Sequence, residues 1–180
     1  MTSAQPPRLL DDGTEPASPE VLLARLDALG ISHATHRHAP VFTVEEAQLL
    51  KGDLPGAHTK NLFLRDKKGT MWLVVALFDR DVDLKALGPQ LNARGRLSFG
   101  SSDRLMRYLG VIPGSVTPFA VINDVGGQVS VALDRGLRDQ EVWNAHPLDN
   151  AMTTAVRGEE MLRYLEAMDH RPRWVDLQGD

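Results

Sequence analysis

The sequence predicts a single α+β domain in which helices surround a central mixed β-sheet. Three observations carry this. Helical and strand signals follow one another without the regular strand–helix alternation of a doubly wound parallel fold. Two pairs of apolar segments are joined by short polar turns, as the arms of hairpins are. A chain of 180 residues that is 42% hydrophobic can bury roughly 70% of its unfolded surface around one core.

Each element has a local reason. Residues 1–17 are rich in Pro, Asp, Gly and Ser without periodicity and read as a flexible arm, which leaves 18–180 as the folded domain. Ser18-Pro19-Glu20 opens an amphipathic helix, since Ser offers a cap and Pro suits the first turn. Leu22, Leu23, Leu26 and Leu29 form its inner face and Gly30 stops it. Ile31–His38 alternates as a strand does. Thr43 and Glu46 stand at capping-box spacing and start a second helix, closed by Lys51–Pro55.

From Gly56 the pattern becomes that of a sheet. Asn61–Arg65 and Met71–Leu77, joined by the polar turn Asp66-Lys-Lys-Gly69, predict a central hairpin. Asp83–Leu91 predicts a helix with Leu84, Leu87 and Leu91 inward. A short strand at Leu97–Phe99 and a helix at Asp103–Leu109, capped by Ser101 or Ser102, follow it. Phe119–Ile122 and Gln128–Leu133 flank the turn at 123–127 and predict a second hairpin. Val142–Asn144 and Met152–Val156 read as short strands on either side of the corner His146-Pro147. Glu159–Ala167 is the last helix, with Met161, Leu162 and Leu165 inward, and the tail from Arg171 to Asp180 contains Trp174.

Composition narrows the function. There are no cysteines, which excludes disulfides, thiolate metal sites and cysteine nucleophiles. No apolar run approaches the roughly 20 residues of a membrane span, and the start MTSAQPPRLLDDGTEP lacks the pattern of a signal peptide, so a soluble cytoplasmic protein is expected. The net charge of −4 argues mildly against nucleic acid as a partner, but its distribution is uneven. Residues 51–116 carry eleven Lys/Arg against six Asp, a local +5 able to track a phosphate backbone. Solvated turn and edge residues at Lys67-Lys68 and Arg94/Arg96 would account for the same charges.

The catalytic inventory is thin. No Gly-x-Ser-x-Gly elbow, phosphate-binding loop, His-Glu-x-x-His or Cys/His zinc set is present. The turn Gly110-Val-Ile-Pro-Gly-Ser-Val-Thr-Pro-Phe119, with Gly110, Pro113, Gly114 and Pro118, is a shaped loop between apolar segments, either a binding loop or plain chain reversal. Ser115 and His146 could pair as nucleophile and base, although a serine between Gly and Val in a turn more often bonds the backbone. Lys60, between Thr59 and Asn61, stands at the entrance to the hairpin, where it could face a cleft or simply flank a strand. His33, His36 and His38 raise a metal reading, since i and i+2 share a strand face, but no nearby group completes a ligand set.

Three segments in order carry a resemblance: His58-Thr-Lys60-Asn-Leu-Phe-Leu64 with its Lys-rich turn; Gly110–Phe119 running on to Ile122-Asn-Asp124; and His146-Pro-Leu-Asp-Asn150 with Thr153-Thr154. They resemble the motifs of the YbaK/ProX family, over roughly residues 18–170. That family comprises freestanding aminoacyl-tRNA deacylases and the related editing insertion of bacterial prolyl-tRNA synthetases. The ProX-type branch, which clears alanine from proline tRNA, is the most similar.

The resemblance implies hydrolysis of the ester joining an amino acid to the terminal ribose of tRNA. No metal, cofactor or covalent intermediate is expected, and a ribose hydroxyl helps activate water. The implied partners are the acceptor end of tRNA and prolyl-tRNA synthetase. Lys60 would contact the terminal phosphate or ribose, since a lysine near its ordinary pKa is charged at neutral pH. Gly114, Ser115 and Val116 would offer backbone N–H groups to the ester oxygen. Thr117 would orient the amino acid or water, and His146 would order water or contact the terminal adenosine, with Asn61 and Asn150 nearby. Val41, Phe42, Leu62, Leu64 and Phe119 are the apolar candidates for a tight pocket. Such a pocket is needed because a proline site cannot exclude alanine by size, a few methylenes being worth only about 1–3 kcal/mol. The competing expectation is a non-catalytic tRNA-binding module working through the basic segment.

Overall fold

The computed structural model describes residues 8–177. Helix α1, Pro19–Ala28, begins at Ser18, whose hydroxyl accepts the Val21 N–H, and buries Leu22 and Leu26. Strand β1 is His33–Arg37. Helix α2, Val44–Asp53, carries the expected capping box: Thr43 accepts the Glu46 N–H at 3.1 Å while the Glu46 carboxylate accepts the Thr43 N–H at 3.0 Å. Strands β2, Ala57–Arg65, and β3, Met71–Leu77, form the central antiparallel hairpin. Its turn is pinned by Asp66, whose carboxylate accepts the amides of Lys68, Thr70 and Arg94.

Helix α3, Leu84–Gln90, strand β4, Ser98–Phe99, and helix α4, Ser102–Leu109, follow as read from the sequence, with Ser101 as the cap of α4. Gly110 ends α4 at φ +65°. A Cβ there would stand 2.5 Å from Asn123, so only glycine serves.

The second hairpin does not form. Pro118–Asn123 is a 3-10 helix capped by Thr117, and strand β5, Val129–Asp134, lies parallel to β3 instead. Pro118 sits at the first turn, and the short apolar run Phe-Ala-Val-Ile is equally a buried helical segment; hydrophobicity cannot separate the two. Strands β6, Val142–Ala145, and β7, Met152–Arg157, and helix α5, Gly158–Ala167, agree with expectation. The tail around Trp174, unassigned from sequence, supplies strand β8, Arg173–Val175, parallel to β5. Its last residues, 178–180, lie outside the described residues.

The strands run β1-β7-β6-β2-β3-β5-β8, with β4 against β2, in a mixed eight-stranded sheet. One face of the hairpin packs Phe63, Leu73 and Val75 with residues of α1, α4 and α5. The other packs Leu64, Trp72, Val74 and Ala76 with Leu87 and Leu91 of the α3 region. Strand alternation therefore assigns Phe63 and its i±2 partners to one layer and Lys60, Leu62 and Leu64 to the other.

Residues 8–17 do not behave as a loose arm. Leu10 is buried, the Asp11 N–H donates to the Arg107 carbonyl, Arg107 bonds the Asp11 carboxylate at 2.6 Å, and the Ala17 N–H donates to the Asn123 side chain. Residues 1–7 of that arm lie outside the described residues.

One buried ion pair ties the 3-10 segment to the chain after α5. Asp124 accepts the amides of Gln128 and Val129 and stands 2.9 Å from His170 Nε2, both side chains being 3% exposed. Burial opposes both charges. Yet the hydrogen bonds from His170 and the two amides hold Asp124 below its usual value, and those to Asp124 and the Met168 carbonyl raise His170. The raised imidazole contributes fully below its ordinary 6.5, and the contribution is lost as pH rises through its higher folded value. The depressed carboxylate contributes above 3.8 and is lost as pH falls. The pair thus stabilises most between 3.8 and 6.5. Asp124→Ala is expected to cost about 3–5 kcal/mol and to abolish the alkaline decline of stability. Urea unfolding at pH 6 and pH 9 measures both.

Candidate active site

β2 has β3 on one edge and β6, then β4, on the other. Ala57 and His58 pair in parallel with Trp143 and Asn144 of β6, and from Thr59 to Arg65 the strand pairs antiparallel with β3. Beside the β6 pairing lies a small cavity of about 60 Å³. Val41, Ala47, Leu50 and Phe78 form its apolar wall. His58, Thr59, Asn61, Asn144, His146 and Thr153 form its polar one.

Hydrogen bonds settle the state of the imidazoles, because a backbone carbonyl only accepts. His146 Nδ1 lies 2.7 Å from the Met152 carbonyl and must carry the proton there, which leaves Nε2 of the neutral ring as an acceptor. His58 donates through Nε2 to the Leu54 carbonyl at 3.1 Å, leaving Nδ1 as an acceptor. His38 donates through Nδ1 to the Ala39 carbonyl, and its Nε2 takes the Thr153 hydroxyl proton at 2.9 Å. The His38 and His146 ring centres are 6.3 Å apart. Burial pushes His146 below its ordinary 6.5, and the nearby His38 and His58 rings act in the same direction against the Met152 hydrogen bond and Asp149. Burial likewise lowers His58. The turn after His146 is shaped by Leu148, held at φ +70° in the left-handed region, with its N–H on the His146 carbonyl.

The Gly/Pro loop reaches the cavity through Asn150. Asn150 is buried and donates to the Val41 carbonyl at 3.3 Å, and a Cβ on Gly114, at φ +91°, would stand 3.7 Å from the Asn150 amide nitrogen. The Ser115 N–H is taken by the Ile112 carbonyl at 3.0 Å. The amides of Gly114 and Val116 have no acceptor among the described residues.

Of the residues singled out from sequence, Val41, Asn61 and His146 line the cavity, while Asn150 bonds the Val41 carbonyl behind it and Gly114 lies beside Asn150. Others lie elsewhere. Leu62 and Leu64 pack with the second core on the opposite face of β2, and Phe119 is buried against Tyr164 with ring centres 5.5 Å apart. Phe42 is 79% exposed. Thr117 is buried and caps the Phe119 N–H, Val116 packs against the first core, and the Ser115 side chain is buried. None of these lines the cavity. Lys60 lies on the Leu62 face, and its ammonium donates to the Arg80 carbonyl. Among the described residues no carboxylate pairs with it.

His33, His36 and His38 do not converge: His33 bonds Asp27 at 3.0 Å, and His36 lines a separate groove with Pro55 and Val142. Among the described residues no group of three or more His, Asp or Glu is placed to hold a metal ion. Sequence reasoning missed Asn144, Ala47, Leu50 and Phe78. His58, Thr59 and Thr153 had a signal, as members of the quoted motifs.

The family model for the aminoacyl-tRNA editing domain matches residues 38–164, which include every residue of this cavity. The chain belongs to that family. The YbaK/ProX resemblance read from three motifs is thereby borne out, and the chain's class is that of a hydrolase acting on aminoacyl-tRNA esters. It is 36% identical over 159 residues to the prolyl-tRNA editing protein ProX of Acetoanaerobium sticklandii, covering 88% of this chain and 96% of that one. It is 38% identical over 152 residues to prolyl-tRNA synthetase associated domain-containing protein 1 of Mus musculus, covering 82% and 89%. A crystal structure of a candidate trans-editing enzyme for prolyl tRNA synthetase superposes with TM-score 0.69 over 91% of this chain and 99% of its own, at 17% identity, a likeness of fold. Among the described residues no helix is long and apolar enough to cross a membrane.

For an editing domain, a neutral histidine with a free ring nitrogen beside a small cavity is a usable proton acceptor. The His146 ring is expected to titrate below 6.5, and a nitrogen-shift NMR titration reads it directly. A midpoint at or above the ordinary value would contradict the burial argument.

Proposed function

We propose that this chain is a trans-editing deacylase that removes alanine from mischarged proline tRNA. The observation that supports it most is the cavity itself: about 60 Å³, walled by Val41, Ala47, Leu50 and Phe78, and flanked by the acceptor nitrogen of neutral His146. That volume suits a methyl-sized side chain, and admitting small residues while rejecting the proline ring is the task of a second sieve.

In this reading a water attacks the ester carbonyl carbon, the bond to the ribose oxygen breaks, and the products are free alanine and tRNA with its terminal hydroxyl restored. His146 Nε2 and a ribose hydroxyl order the water and pass its proton toward the leaving oxygen. The amides of Gly114 and Val116 receive the developing oxyanion, since neither has an acceptor among the described residues. Ser115 supports the turn rather than donating its own amide, which Ile112 occupies. Lys60, charged and bonded to a neutral carbonyl instead of a carboxylate, is held ready for a phosphate of the acceptor end. The names of the relatives support prolyl-tRNA synthetase as the enzyme whose errors are cleared.

The test is a deacylation panel of alanyl, seryl, cysteinyl and prolyl esters on proline and alanine tRNAs. Alanine on proline tRNA is expected to be hydrolysed fastest and prolyl-tRNA spared. His146→Ala is expected to lower kcat by about 10²–10⁴-fold, while Lys60→Ala acts mainly on KM. Retention of tRNA without release of amino acid from any ester would refute the reading and leave a binding module. In the wild type, kcat/KM is expected to fall on the acid side as His146 gains a proton, with its midpoint below 6.5.

A further inference from the structure

In the cavity wall, unpartnered acceptors outnumber free donors. Asn144 is 3% exposed, and its amide nitrogen donates to the Pro55 carbonyl at 2.9 Å, with Ala57's carbonyl at 3.5 Å. Carbonyls only accept, so the amide orientation is fixed, and Asn144 Oδ1 is left buried without a partner. Asn61 Oδ1 is also buried and unpartnered, its amide N–H group having no acceptor among the described residues, and both side chains line the cavity. His58 Nδ1 and His146 Nε2 add two ring lone pairs, since each ring gives its proton to a backbone carbonyl. The hydroxyl protons are engaged elsewhere: Thr59 donates to the Asn144 carbonyl at 3.0 Å, and Thr153 to His38. Buried acceptors without donors are unfavourable, and a protein retains them where a ligand supplies the hydrogens.

We infer that the unpaired acceptors of Asn61 and Asn144 receive the free α-ammonium group of the aminoacyl ester, so that the site selects unblocked aminoacyl-tRNA over N-acylated or peptidyl-tRNA. This rests on the deacylase reading above and adds a second gate to it. An ammonium brings three donors and no acceptor, which complements this wall. An N-acyl group removes the charge, leaves one N–H, and brings a carbonyl oxygen toward oxygens and lone pairs. Asn61 adjoins Lys60 in sequence but faces the other side of β2, so amino-group and phosphate recognition are assigned to opposite faces of one strand.

The experiment compares hydrolysis of alanyl-tRNA and chemically N-acetylated alanyl-tRNA by wild type, Asn61→Leu, Asn61→Asp and Asn144→Leu. Wild type is expected to prefer the free amine by about 100-fold, hydrogen bonds to a charged group being worth about tenfold or more each. Asn61→Leu is expected to lower the preference for the free amine by about tenfold or more, and Asn61→Asp to keep it. The N-acetyl rate is the control for structure: a folding or packing defect lowers both rates together, and that result would overturn the inference. Equal wild-type rates on both esters would overturn it while leaving the deacylase intact. Hydrolysis of neither ester by wild type would overturn the deacylase reading, and this inference with it.

Discussion

The site depends on how the two edges of β2 are held. β3 pairs antiparallel along one edge, while the other edge is held by β6 at Ala57 and His58 and by β4 only at Leu64 and Arg65. The short β6 pairing is secured by polar contacts: Thr59 donates to the Asn144 carbonyl and Asn144 to the Pro55 carbonyl, while Gly56 lets β6 approach, since a Cβ there would stand 2.9 Å from Val142. Beside that pairing Ala47 and Leu50 of α2 meet the polar side chains of β2, β6 and β7.

That geometry explains why the pocket is polar yet electrically quiet. Three histidines lie near it, and each gives one ring proton to a backbone carbonyl. Burial lowers His58 and His146, so neutral rings present lone pairs where charged ones would present donors. Charge is assigned to other places: to Lys60 across the sheet, and to the buried His170–Asp124 pair that locks the 3-10 segment behind the Gly/Pro loop. Chemistry and stability thus use ionisable groups in separate parts of the molecule. The loop at 110–119 connects them, with Gly110 against Asn123 at one end and Gly114 beside Asn150 at the other.

Much of the fold was legible because it rests on local rules. Ser18, Ser101 and the Thr43–Glu46 box cap the helices they were read to cap, and the Asp66–Gly69 turn joins the central hairpin. The misreadings share one cause. Phe119–Ile122 was apolar and short, Trp174 lay in a polar tail, and residues 8–17 showed no periodicity. What decided each was a partner far along the chain: Tyr164 for Phe119, β5 for β8, and Arg107 for Asp11. The pocket candidates divided in the same way. Alternation along β2 separates Asn61 from Lys60 and Leu62, but which face holds the cavity depends on β6 and α2.

By itself, then, the sequence determined the element order, the helix ends, the hairpin and, through three motifs in order, the editing family. These are matters of capping, periodicity and short-range spacing, which neighbouring residues decide among themselves. The tertiary structure alone decided which residues meet: that burial keeps His146 neutral while the Met152 carbonyl takes its Nδ1 proton, that Ser115's amide is occupied, and that Asn144 ends with an unpaired oxygen in the same cavity as Asn61. The Asn144–Pro55 contact spans 89 residues, and a protonation state or an unmet hydrogen bond exists only once the chain has closed around it.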